Sequence, residues 1–121
     1  MILPLGDTRT SGRLDSVFSA LADPTRRLIV ERLARGPLTI SEAAAGIPIS
    51  QPAISKHVKI LEQSGLIRRE VTWRAHHLHL SSDAMKSASA WIERQREYWN
   101  AALDRLDIYL TENSEKETQE R

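Results

Sequence analysis

Hydrophobic side chains recur at helical spacing over most of the first half of the chain. Four of them, three or four positions apart, predict one face of a short first helix: Leu14, Val17, Phe18 and Leu21. A second helix is predicted from Asp23, a good N-cap followed by proline, to the break at Gly36. A third helix of about two turns follows the capping-box pair Thr39 and Glu42 and ends at Gly46.

The fourth predicted helix, Ser50–Ser64, has two contrasting faces. Its apolar residues Ile54, Val58 and Leu61 lie within about 60° of one another. The opposite side carries small, polar and basic residues: Gln51, Pro52, Ser55, Lys56, Lys59 and Gln63. Glutamine, serine and lysine suit contacts to base edges and phosphates in the major groove of DNA. An ordinary amphipathic surface helix has the same composition, so this helix alone leaves both interpretations open.

After residue 65 the pattern changes to β-branched and aromatic residues with partial alternation, which predicts a hairpin over residues 66–80. A long helix is then predicted from Ser82 to about Asn113, because neither proline nor glycine interrupts it. A helix-turn-helix followed by a hairpin is a winged helix-turn-helix. We therefore predict a mainly α fold with a small β-hairpin, in one domain over residues 13–113. Residues 1–12 are expected to form a flexible arm and residues 114–121 a polar tail.

Composition narrows the possible functions. The chain has no cysteine, which excludes disulfides and thiolate metal sites, and its apolar runs are too short to span a membrane. We expect a cytoplasmic protein without a membrane partner. Residues 50–80 carry 5 basic and 2 acidic side chains together with all 4 histidines. This basic excess falls where a polyanion would bind.

No catalytic or cofactor-binding motif is present, so neither an enzyme nor a cofactor is expected. His76, His77 and His79 raise the question of a metal site. Only His77 and His79 share a strand face, and they make an incomplete ligand set. We favour polar wing residues near phosphate over a metal site.

The stretch DPTRRLIVERLARGPLTISEAAAGIPISQPAISKHVKILEQSGLIRRE resembles the ArsR family of bacterial winged-helix transcription regulators. The shared features are the DPTR helix, the S-Q-x-x-apolar-S-x-H helix and the GLI-R-R entry into the wing, and the resemblance covers roughly residues 14–110. It implies a homodimer that binds operator DNA, usually as a repressor. The family's metal sensors use cysteines before the turn or His, Asp and Glu sets in the last helix. This chain has no cysteine at the first place and no histidine at the second.

The resemblance also implies which residues face DNA. On the fourth helix they are Gln51, Pro52, Ser55 and Lys56, with Lys59 for the backbone. In the wing they are Arg68, Arg69 and Arg74. The wing tip, VTWRAHH, departs from the family pattern of a glycine followed by basic residues. Trp73 is expected either to stiffen this tip or to pack back on the domain.

The last helix carries an apolar stripe in steps of three and four residues. At about 43 Å this helix is longer than a small domain needs, and a second copy is the economical partner for its stripe. The predicted dimer interface is Leu14, Val17, Phe18, Leu21, Ile92, Trp99, Ala102, Leu106 and Tyr109. The alternatives are an intramolecular strap, or a pocket for an unknown apolar effector lined by Trp91, Tyr98 and Trp99.

Together these patterns predict a homodimeric repressor that binds a palindromic operator through the helix Ser50–Ser64 and the wing 66–80. Two alternatives remain. The polar face of the fourth helix would dock a protein in a winged-helix interaction module, or the protein would bind DNA as an activator.

Overall fold

Five helices and three short strands make up the part of the chain that the structure describes. In this computed structural model the backbone is described for residues 8–120 and the side chains for residues 12–118. The elements are α1 (Thr8–Leu21), α2 (Pro24–Leu33), β1 (Leu38–Thr39), α3 (Ile40–Ala43), α4 (Gln51–Gln63), β2 (Ile67–Thr72), β3 (Ala75–Leu80) and α5 (Ser82–Glu120). None of these helices is both long enough and apolar enough to cross a membrane.

The predicted caps begin three of the helices. The Asp23 carboxylate accepts a hydrogen bond of 3.0 Å from the backbone N–H of Arg26 at the start of α2. Thr39 and Glu42 form a reciprocal capping box at the start of α3, with bonds of 3.1 and 3.0 Å. These bonds satisfy backbone N–H groups that have no partner inside a helix. The backbone N–H of Thr39, followed by its hydroxyl, lowers the pKa of Glu42, so this box is charged at neutral pH.

The core lies between α1, α2, α4 and the sheet. Ile54, Val58 and Leu61 of α4 are buried as predicted, and α4 packs on α1 and α2. Burying side chains of this size contributes about 1.5–3 kcal/mol each. The largest fully buried side chains are Ile29, Leu61, Leu66, Leu78, Val17 and Val58. Because the three α4 residues sit in this core, the opposite face of α4 is turned to solvent.

The three strands form an antiparallel sheet in the order β1-β3-β2. The predicted hairpin is confirmed: Ile67 pairs with Leu80, and Thr72 pairs with Ala75. The third strand, β1, was not predicted. It has only two residues, too few to show alternation, and its Leu38 pairs with Leu78.

Both ends of the chain are more helical than predicted. Helix α1 begins at Thr8, inside the segment predicted as a flexible arm, and residues 1–7 lie outside the described residues. Helix α5 continues through residues 114–120, predicted as a polar tail. Glutamate, lysine and glutamine favour helix there, and no glycine or proline stops it. The predicted domain 13–113 is divided between two compact units, one ending at Ala88 and one starting at Ser89.

The cap of α2 makes stability depend on pH. The pKa of Asp23 lies below its ordinary value of 3.8, first because its carboxylate accepts the Arg26 N–H bond; burial opposes this effect. A lowered native pKa stabilises the fold above pH 3.8, and this contribution disappears as pH falls through the native value. We expect Asp23→Asn to lower the melting temperature at pH 7, with a difference from wild type that shrinks below pH 3.8. A melting-temperature difference that stays constant from pH 7 to pH 3 would contradict this account.

Candidate nucleic-acid interface

The polar face of α4 is exposed along its length. Gln51, Pro52, Ser55, Lys56 and Lys59 are all exposed, whereas the apolar residues on the other side of the helix are buried. Ser50 caps the helix by accepting a 3.3 Å hydrogen bond from the backbone N–H of Ala53. The five α4 residues predicted to face DNA are thus brought together on one rigid, solvent-facing surface.

Arg26 of α2 links α4 to the end of α1. Its guanidinium donates to the carbonyl oxygens of Ala20 and Ser19 at 2.6 and 3.1 Å. A third bond, 3.1 Å long, joins Arg26 Nη1 to His57 Nδ1 on α4. Arginine has no acceptor, so the imidazole nitrogen accepts this bond. His57 is half-buried, and its bond to Arg26 helps fix the rotation of α4.

A second arginine of α2 holds the other helix of the helix-turn-helix. Arg32 donates from Nη1 to the carbonyl oxygens of Ala43 and Ala45, both at 2.8 Å. These carbonyls belong to the end of α3, where backbone oxygens have no partner inside the helix. Helix α2 therefore positions both α3 and α4 through charged side chains that reach backbone or ring acceptors.

The wing, defined as β2, β3 and the two residues between them, separates the predicted arginines onto two faces. Successive side chains of a strand point in opposite directions. Arg69 faces α4, where it donates to Glu62 Oε1 at 2.6 Å and lies 3.2 Å from His76 Nδ1. Arg69 was predicted to contact DNA, and in the structure its guanidinium is at the surface but paired with Glu62. It ties the wing to α4.

Arg68 lies on the other face of the wing. It is 3.7 Å from Glu70 and borders a cleft formed with the end of α2 and His79. Because Arg68 and Arg69 point in opposite directions, the three predicted wing arginines do not act on one surface. His79 shares the Arg68 face, where its Nε2 lies 3.1 Å from Glu70.

Arg74 is exposed on the side of the wing that borders the start of α3. It lines an open cleft with Arg69 and His76 of the wing, opposite residues 39–41 at the start of α3. Ser41, which is exposed at this cleft, was missed by the sequence analysis. Its position just after the capping residue Thr39 was the available signal. Among the described residues, no group of three His, Cys, Asp or Glu side chains is placed to hold a metal ion.

The predicted dimer residues are more exposed on α5 than on α1. On α5, Ile92, Trp99, Leu106 and Tyr109 are 48 to 68% exposed, and Ala102 is half-buried. On α1, Phe18 is exposed, and Leu14 and Leu21 are half-buried. Val17 has no exposed surface, so its inclusion in a dimer interface was wrong: it belongs to the core of its own chain.

The predicted effector pocket is not formed by α5 itself. Tyr98 and Trp99 border, with Ala102 and Arg105, only a shallow depression on the helix surface. An apolar ligand binds with affinity when most of its surface is enclosed. The aromatic residues of α5 are therefore part of an apolar stripe, to which Leu103 and Leu110 also belong.

Comparison with known proteins agrees with this geometry. The helix-turn-helix domain family matches residues 21–70. The transcriptional repressor SdpR of Bacillus subtilis is 32% identical over 79 residues, covering 65% of this chain and 88% of that protein. The HTH-type transcriptional regulator Rv2034 of Mycobacterium tuberculosis is 53% identical over 53 residues, covering 44% of this chain and only 50% of the relative's length.

A similar solved structure decides the family. An ArsR family transcriptional regulator, RHA00566, is 38% identical and has a TM-score of 0.70, with 74% of this chain and 93% of that chain covered. The chain belongs to the ArsR family of transcriptional regulators. Its winged helix-turn-helix fold and its function as a DNA-binding regulator of transcription, both predicted from the sequence, are confirmed.

In this ArsR family regulator the pose of α4 depends on Arg26. Lysine keeps the charge, but its three N–H groups belong to one nitrogen and cannot reach the acceptors that Arg26 contacts from Nε, Nη1 and Nη2, so Arg26→Lys loses at least two of the three bonds. We expect it to lower the free energy of unfolding by about 1–3 kcal/mol, measured by urea denaturation. The neighbouring Arg27 makes one bond, 2.8 Å to the Leu21 carbonyl. Arg27→Lys is the matched control, with an expected loss under about 1 kcal/mol. Equal losses in both variants would contradict this role for Arg26.

Proposed function

We propose that the protein is a homodimeric repressor, which binds a palindromic operator and blocks transcription by occupying promoter DNA in the cytoplasm. The observation that carries the proposal is the exposed polar and basic face of α4, held by three buried apolar residues on its other side. The similarity to the repressor SdpR supports repression as the direction of control. An α-helix with such a face fits the major groove of B-DNA.

The roles of the α4 residues follow from their chemistry. Gln51, Ser55 and Lys56 read base edges, since glutamine pairs with adenine in two bonds and lysine reaches guanine. Pro52 lies in the first turn, where a missing N–H costs nothing and the short side chain allows close approach. Lys59 contacts phosphate and fixes the register of the helix on the duplex.

The wing contributes one phosphate contact and one positioning pair. Arg74 reaches phosphate from the exposed edge of the cleft beside α3. Arg69 instead holds the wing against α4 through Glu62, so it orients Arg74 without touching DNA. Arg68, on the far face of the wing, plays no part in this interface.

The dimer forms through the apolar stripe of α5. Eight large hydrophobic side chains between Trp91 and Leu110 are exposed on one side of α5, and a contiguous stripe of this kind marks an interaction surface. A second copy offers the same stripe, so a two-fold axis lets each one cover the other. The two α4 helices of such a dimer meet half-sites about 34 Å apart along the duplex.

Base reading and phosphate binding are separable on α4. After selection of the operator from random duplexes, we expect Gln51→Ala to relax the preference at one position of each half-site by about 1–3 kcal/mol. Lys59→Ala weakens binding to all sequences alike and reduces the slope of log affinity against log salt by about 2, because the dimer has two Lys59 side chains. Fluorescence anisotropy over a salt series measures both effects. Uniform weakening by both variants would show that the two roles are wrongly assigned.

The α5 stripe provides its own matched pair of variants. Leu106 lies on the stripe, whereas Ile108, similarly exposed at 59% against 49%, lies about 200° away around the helix. Leu106→Glu places a charge in the interface and is expected to raise the dimer dissociation constant about a hundredfold or more. Ile108→Glu leaves the dimer intact. Sedimentation equilibrium measures both, and a dimer that survives Leu106→Glu, or dissociates with Ile108→Glu, would contradict this interface.

A further inference from the structure

The tip of the wing carries the most exposed large hydrophobic side chain among the described residues. Trp73 and Arg74 form the two-residue loop between β2 and β3, flanked by the Thr72–Ala75 pair. Trp73 has a φ of 59° and is 95% exposed. It is also the one described non-glycine residue with a positive φ. A positive φ at the first loop position is the pattern of a type II′ turn, which favours glycine there.

Neither the backbone nor the core accounts for a tryptophan at this position. The left-handed region is unfavourable for a side chain with a bulky Cβ substituent. The indole does not offset that cost by packing, because almost all of its surface faces solvent. The expectation that Trp73 packs back on the domain was therefore wrong. Residues held in an unfavourable backbone conformation without compensating packing are concentrated at functional sites.

The surroundings of Trp73 favour a polyanion as its partner. Arg74 is adjacent, and the cleft beside it is lined by Arg69, His76 and Ser41. The carboxylate nearest Arg69, that of Glu62, is neutralised by the 2.6 Å ion pair. Because Arg74 belongs to the DNA interface proposed above, the adjacent indole borders that interface.

The length of the wing allows its tip to reach a neighbouring groove. Strands β2 and β3 have six residues each, and six residues of strand span about 20 Å. The major groove occupied by α4 is about 12 Å wide. A wing of this length exceeds that width, so it is long enough for its tip to meet DNA outside the groove that α4 occupies.

We propose that Trp73 inserts its indole into the minor groove of the DNA that flanks each half-site. There the ring packs on deoxyribose and partly unstacks a base step, while Arg74 holds the adjoining phosphate. Insertion of an apolar side chain costs least free energy at pyrimidine–purine steps, because these steps deform easily. Trp73 thus adds specificity at positions that α4 never contacts. The inference rests on the proposed DNA-binding mode of α4.

The variant Trp73→Gly tests the effect of the indole on DNA affinity without destabilising the fold. Trp73→Gly removes the indole and suits the positive φ, so the melting temperature is expected to stay the same or rise. Affinity for an operator duplex with five flanking base pairs, measured by anisotropy, is expected to fall about tenfold. Trp73→Phe keeps an aromatic ring and is expected to lose less. On a shorter duplex that ends with the α4 half-sites, wild type and Trp73→Gly are expected to bind equally.

Fluorine NMR reports the contact directly. The chain has 3 tryptophans, so protein labelled with 5-fluorotryptophan gives three resonances, and Trp73→Phe identifies the one from residue 73. We expect that resonance to shift with the long duplex and to lose its sensitivity to replacement of H2O by D2O. With the short duplex it is expected to keep the values of the free protein.

Three outcomes would overturn the inference. The first is equal affinity of wild type and Trp73→Gly for the long duplex, with an unmoved resonance, while Gln51→Ala still changes base preference; the proposed function then stands without Trp73. The second is the same affinity loss on both duplexes, which excludes a contact to the flanks. The third is a wild-type protein that does not distinguish operator from other duplexes, which removes the proposed function as well.

Discussion

The burial of Ile54, Val58 and Leu61 against α1 and α2 is the constraint on which the rest of the interface depends. These three side chains set the rotation of α4 about its axis, and each residue of slippage would turn the helix by about 100°. Such a turn would carry charged or polar side chains into the core, at a cost of several kcal/mol. The bond from Arg26 to His57 acts in the same sense from the solvent side. The polar face of α4 is therefore presented rigidly without contributing to the core.

Besides the apolar contacts between β2 and α4, one ion pair among the described residues couples the wing to this helix. Arg69 and Glu62 join the middle of β2 to the end of α4, so the wing tip keeps its place relative to the reading face. The alternation of the strand then decides which basic residues share that face. Arg74 lies on that side of the wing, whereas Arg68 lies on the opposite side. The strained, exposed Trp73 is adjacent to Arg74. The interface is thus one helix face and one side of a hairpin, with a cationic and apolar tip.

Local chemistry explains what the sequence could predict. Caps such as Asp23 and Ser50 act within three residues, and the apolar spacing of α4 reports directly which face is buried. The faces of the wing depended instead on register and on cross-strand partners, so the sequence did not show that Arg68 and Arg69 lie on opposite sides of the hairpin. Strand β1 was too short for a pattern, and Val17 was placed in an interface because a core face and a dimer face look alike in sequence. The exposure of Trp73 is a tertiary property that no local pattern reports.

The most direct test of DNA recognition by this protein is fluorescence anisotropy with its own upstream promoter duplex and a scrambled duplex, across several salt concentrations. We expect tight binding to the promoter duplex alone, with saturation at two chains per pair of half-sites. We also expect affinity to fall steeply with salt, because lysines and arginines displace counterions from phosphates. Equal, weak and nearly salt-independent binding to both duplexes would contradict this expectation. The polar face of α4 would then be a surface for a protein partner.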